Sequence, residues 1–176
     1  MNRSSILVAV LLCATGSASM AQDTATSAQS SAVAKEFVEK AGTSGLAEVE
    51  MGQLGEQKAK NSQVKAFAKR MVADHTKANQ ELVTAIKGKG MQVPSSRTAT
   101  HKAMVEKFQQ QDAGKEFDRD YMEQMVEDHK AAVDLFETAA DDERFDLDLR
   151  SYAKKTLPTL RDHLTQAQTI QSKLAD

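Results

Sequence analysis

The sequence predicts an all-α protein, a four-helix bundle with a long crossover that carries a short helix between main helices two and three. Three observations predict it. Apolar residues recur at spacings of three and four through four long segments, the 176 residues hold only 2 prolines, and no run of alternating β-branched residues marks a strand. Ala, Lys, Glu, Gln and Leu, all good helix formers, fill much of the remainder.

The first helix is expected from about Ala32 to Lys60. Gly42 and Gly45 weaken it, and Thr43 and Ser44 are able to cap a restart, so one helix or two segments are both open. Asn61 and Ser62 punctuate the chain, and a second helix runs to about Lys87, where Gly88 and Gly90 stop it. Its apolar stripe is Val64, Phe67, Met71, Val72, His75, Ala78, Leu82 and Ile86. The connection from Met91 to Gly114 contains Pro94 and a short helix at about Thr98 to Gln110. A third main helix follows from about Lys115 to Ala140, with Tyr121, Met122, Met125, Val126, His129, Ala132, Val133 and Phe136 on one side. The last, about Asp146 to Leu174, carries Ala153, Leu157, Leu160, His163, Leu164, Ala167, Ile170 and Leu174 on its apolar stripe. A crossover of this length is able to run back along a bundle, which would point helices two and three the same way.

The N-terminus reads as a secretory signal over residues 1–21. Arg3 supplies the positive charge, Ile6 to Ala14 the apolar run, and Ser19-Met20-Ala21 the small residues before cleavage. Export across the inner membrane into the periplasm is the expected route. Residues 22–31 are small and polar without an apolar period, which suggests a disordered tether ahead of the bundle domain at 32–176. The single cysteine, Cys13, lies in the leader and lacks the small residue before it that lipid attachment needs, so the mature chain forms no disulfide. No later stretch reaches the roughly 20 apolar residues of a transmembrane helix. With 23 Lys and Arg interspersed among 25 Asp and Glu, there is no basic stripe for nucleic acid. A protein partner or self-association stays open.

Three of the 4 histidines share one local chemistry. Met71-Val72-Ala73-Asp74-His75 is repeated as Met125-Val126-Glu127-Asp128-His129, and Asp162-His163 follows near the C-terminus. Each histidine falls in the apolar stripe of its helix, so packing should bring the three imidazoles together. Asp74, Asp128 and Asp162 lie about 100° round from their own histidines and are placed to reach one on a neighbouring helix. Such a ring of Asp–His pairs would fix each tautomer and raise its basicity, as the residues behind a metal-bound histidine do. Helix one offers an acid, Glu48 or Glu50. Glu48 continues along Gly52, Gly55 and Ala59, a smooth face for a close neighbour, while Glu50 shares a side with Ala47 and Leu54.

Glu48, His75, His129 and His163 are therefore candidate ligands to one divalent ion, zinc, copper or iron, with Asp74, Asp128, Asp162 and Glu50 behind them. Copper stays in the set because Met71, Met122 and Met125 neighbour the histidines, although methionine at such positions is ordinary core filling. The competing reading is a metal-free structural or interaction module in which Asp–His pairs only set helix register. His101, in the crossover, fits a surface or capping role. Thiol catalysis, nucleotide binding, serine hydrolysis and covalent haem attachment all lack their motifs, so no reaction is indicated.

Glu48-Val49-Glu50-x-Gly52-x-Leu54, Val64-Lys65-x-Phe67-Ala68 into Met71-Val72-x-Asp74-His75, Phe117-Asp118-Arg119-x-Tyr121-Met122 into Asp128-His129, and Thr156-Leu157-Pro158-Thr159-Leu160-x-x-His163 form an ordered set. It resembles the bacterial domain-of-unknown-function family 4142 from about Phe37 to Leu174. The resemblance implies an exported ferritin-like bundle without a settled activity, and beside it stands the expectation of a role in envelope stress or metal handling. Ferritin-like proteins often hold two metals through Glu and Glu-x-x-His, yet Val72, Val126 and Leu160 stand three residues before the histidines here. Iron storage and oxygen activation therefore do not carry over. Pro158, one turn before His163, either bends the last helix or begins a new segment.

Overall fold

The computed structural model describes residues 18–174, which form five α-helices and, among the described residues, no strand. They are α1 (Ala18–Lys58), α2 (Ser62–Ala85), α3 (Ala99–Gln110), α4 (Lys115–Asp141) and α5 (Leu147–Leu174). The expected leader falls mostly outside the described residues. None of the described helices is long and apolar enough to cross a membrane.

α1 begins at Ala18 and its helix takes in residues 22–31. That stretch contains no proline or glycine to stop a helix. The helix is continuous through Gly42 and Gly45, the first of the two open readings. Two interior glycines cost about 1 kcal/mol each against alanine, but both serve close packing. A Cβ on Gly42 would stand 2.8 Å from Pro94 Cδ and Val93 Cγ1, and one on Gly45 would collide with the Asn79 side chain.

The turn between α1 and α2 is fastened twice. Asn61 caps α2, its side chain accepting from Gln63 N and Val64 N. Asp118, buried on α4, accepts from the backbone N–H of Lys60 and Asn61 at 3.0 and 2.7 Å. Lys58 Nζ donates to the carbonyls of Phe108, Gln109 and Gln111, placing a cation on the C-terminal end of α3. The connection after α2 turns through Gly88 and Gly90, whose φ of 76° and 67° suit glycine. Thr98 caps α3 by accepting from His101 N, and Asp146 caps α5 by accepting from Asp148 N and Leu149 N. α5 runs unbroken through Pro158, whose ring lies on the exposed side.

Two apolar clusters fix how the helices run. One joins Ala34 to Ala41 of α1, Leu82 and Ile86 beyond α2's middle, Val133 to Ala140 of α4 and Leu149 to Leu160 of α5. The other joins Met51 and Leu54, Val64 to Met71, Phe117 to Val126, and Ala167 and Ile170, with Val105 and Phe108 of α3. The early parts of α1 and α5 thus meet the late parts of α2 and α4. α2 and α4 run the same way and opposite to α1 and α5, as a connection carrying α3 back along α1 requires. Phe37 anchors the first cluster with edge contacts to Phe136 and Phe145 at 5.2 and 5.4 Å.

Candidate metal centre

Between the two clusters lies a polar layer. His75 falls between Met71 and Leu82, His129 between Val126 and Val133, and His163 between Leu160 and Ala167, the flanking residues belonging to opposite clusters. Glu48 occupies the matching interval on α1, between Ala41 and Met51. All four are buried, at 4% exposure for Glu48, 7% for His75, 1% for His129 and 0% for His163. One buried polar residue from each long helix therefore lies between the two apolar clusters.

The imidazoles converge. Their ring centroids are separated by 5.6 Å (His75 to His129), 5.6 Å (His75 to His163) and 5.4 Å (His129 to His163). One nitrogen from each lies within 4.8 Å of the other two. A tetrahedral ion about 2.1 Å from each nitrogen sets them about 3.4 Å apart, so side-chain movements of an ångström or less close the set.

Hydrogen bonding decides which nitrogens are free. His129 Nδ1 lies 2.8 Å from the Met125 carbonyl, which only accepts, so Nδ1 carries the proton and Nε2 keeps a lone pair. His163 Nε2 lies 2.8 Å from Asp74 Oδ2 and donates to it, leaving the lone pair on Nδ1. His75 Nε2, His129 Nε2 and His163 Nδ1 are buried without a hydrogen-bonding partner among the described residues. Leaving such groups unpaired costs about 1–3 kcal/mol each. His129 and His163 thus hold their N–H groups in hydrogen bonds and keep a bare lone pair on the other nitrogen, which is the donor that zinc, copper or iron takes.

Electrostatics point the same way. Burial, reinforced by His129 and His163, holds His75 well below the usual imidazole range. Burial, with His163 adding to it, lowers His129 to about 4. His163 is lowered chiefly by burial, against the raising effect of its Asp74 bond. All three are neutral at pH 7, the form that binds metals. The carboxyl groups move oppositely: burial, then Asp128, raises Glu48 well above the usual carboxylate range, and burial raises Asp128 to about 6.

The supporting acids are arranged differently from the expected ring. Only Asp74 pairs across helices with a histidine, and it also binds Arg70 Nε at 3.2 Å. Asp162, exposed on α5, reaches Arg70 Nη1 at 2.6 Å and supports the histidine only at one remove. Asp128 accepts from Gln124 on its own helix at 3.0 Å, while its Oδ2 is buried without a partner among the described residues. Glu50 pairs with Arg97 of the crossover at 2.9 Å, away from the buried layer, which separates it from Glu48. Glu48 Oε2 has no partner among the described residues, but Glu48 is not among the side chains whose ligand atoms fall within 4.8 Å of one another.

Arg70 is the residue that sequence reading passed over. It stands four before Asp74 on the same face of α2 and ties α2 to Asp162 and Gln166 of α5. A cavity of about 450 Å³ also meets the layer, bounded by parts of α1, α2, α4 and α5 and by Thr98 and His101; His75 lines it, and His129 and His163 do not. Comparison with curated proteins and with solved structures finds no match. The family model described as Domain of unknown function (DUF4142) matches residues 19–170, and the chain belongs to that family.

Proposed function

We propose that the protein is an exported, ferritin-like four-helix bundle whose mid-height layer binds one divalent metal ion, zinc, copper or iron. α1, α2, α4 and α5 are the four members and α3 belongs to the crossover. His75, His129 and His163 are the ligands, and Glu48 is a buried acid at the same height on α1 that stands outside the converging set. The carrying observation is the convergence of three buried imidazoles whose inward nitrogens have no other use in the fold. The apolar leader and its cleavage residues support a periplasmic location, where metal handling or envelope stress is the fitting role. The site binds and need not catalyse. Calorimetric titration of zinc, copper(II) and ferrous ion into metal-free protein tests the reading. Binding of one equivalent that is lost in His129→Gln supports it, and no heat with any of the three removes it.

A second reading has one observation in its favour. The Asp74–His163 bond joins α2 to α5 in a half-buried setting, which is how a polar pair sets helix register without metal. Register alone leaves two further imidazoles unexplained. If it is right, His129→Gln lowers stability and leaves metal content at zero in both proteins.

A further inference from the structure

The cavity beside the metal layer has the features of a ligand site. Its volume of about 450 Å³ suits a small organic molecule, and its wall is mixed. Ala78, Ala132, Leu135 and Phe136 give an apolar body, and Asp128 and Thr156 give polar points. Two of its buried polar atoms, Thr156 Oγ1 and Asp128 Oδ2, have no partner among the described residues, and Thr156 is only 7% exposed. His75 Nε2 and His101 Nδ1, on two further lining residues, are in the same condition. Groups in this state recover the energy of their lost hydration when a ligand of matching chemistry arrives.

A metal held by three imidazoles keeps a fourth position, which in closed structural sites a fourth side chain fills and in open sites an outside molecule takes. Here His75 reaches both the layer and the cavity, and Asp128, the neighbour of His129, lines the cavity as well. We propose that the fourth position opens into this cavity and receives a small neutral molecule with an apolar body and a head that offers both a lone pair and a hydrogen: an alcohol, amine or azole. The lone pair goes to the metal, and the hydrogen goes to Asp128 or Thr156. This rests on the metal reading above, since without the ion the head has only two partners.

The test uses cobalt(II) as a visible reporter and imidazole as the probe. Cobalt(II) is added to the metal-free protein and its absorption recorded, then imidazole is titrated and the cobalt content checked at the end. The expected result is a saturable change in the cobalt bands with cobalt retained. Ala78→Phe, which fills the cavity, should weaken imidazole at least tenfold while cobalt affinity stays within threefold. Ala78→Leu is a milder obstruction that keeps the question answerable if the larger variant does not fold, with a loss of at least threefold. Cobalt binding without any response to imidazole, or with a response equal in the Leu variant, overturns the open position and leaves the metal reading standing. Failure of cobalt to bind overturns both.

Discussion

His163 Nε2 and Asp74 Oδ2 lie 2.8 Å apart, a single bond that joins α5 to α2 and turns the other nitrogen of His163 toward His75 and His129. Removing the carboxylate charge should loosen that orientation. Asp74→Asn is expected to lower zinc affinity about 10–100-fold, the usual loss when the group behind a ligand histidine is changed. Asp162→Asn, which touches only Arg70, should change it by less than about threefold on the weak coupling of exposed pairs. Competition with a chromogenic chelator measures both.

Gly55 sets how closely α1 approaches its neighbours. A Cβ there would stand 2.6 Å from the Ala68 Cβ and 2.8 Å from Tyr121 Cζ, both in the core. Gly55→Ala should therefore destabilise the protein by about 1–3 kcal/mol through overpacking, although alanine favours a helix over glycine by about 1 kcal/mol. Urea unfolding monitored by circular dichroism reads the difference.

Asp118 binds a turn that belongs to other helices. Replacing it with alanine strands the amides of Lys60 and Asn61 beside the apolar end of α4, at a cost of about 3 kcal/mol. Asp118→Asn keeps one acceptor and should lose about half of that. Faster hydrogen exchange at the α1–α2 turn in the alanine variant would locate the effect, and unchanged exchange would argue against the fastening role.

Acid should act through His129. Its pKa falls from 6.5 in the unfolded chain to about 4 in the fold. Between those values the unfolded chain takes up a proton and the native protein does not, so this contribution is complete above pH 6.5 and is lost as pH falls toward 4. It amounts to about 3 kcal/mol at most. Asp128 works in the opposite sense, since its pKa is raised from 3.8 to about 6 and folding is favoured by its protonation between those values. Comparing metal-free protein with His129→Gln isolates the histidine: the stability of the parent should fall relative to the variant from pH 6.5 to 4. Parallel profiles would contradict the assignment.

The histidines were legible because spacing of three and four places each within an apolar stripe, and a residue in such a stripe has nowhere to go but inward. Helix α3 and the connection around it were legible from Gly88, Gly90, Pro94 and Thr98. The choice between Glu48 and Glu50 was not, because the two lie about 200° apart on the helix and each shares its side with small or apolar residues, Glu48 with Gly52 and Gly55 and Glu50 with Ala47 and Leu54. It is settled by Arg97, which reaches Glu50 from a crossover that no local pattern positions. The ring of Asp–His pairs failed at Asp128 and Asp162 because each finds an easier partner, Gln124 one turn earlier and Arg70 on the surface of α2. Asp118 looked like one acid among many, since its role depends on the backbone of a distant turn.

Metal content of protein expressed with its leader and purified from the periplasm without a histidine tag, by mass spectrometry of the elements, bears most directly on the site. The account predicts close to one equivalent of zinc, copper or iron per chain, falling below about a tenth of an equivalent in His129→Gln, since loss of one ligand of three weakens a site well beyond tenfold. A parent protein that folds, carries no metal and takes up none on incubation with the three ions would contradict it.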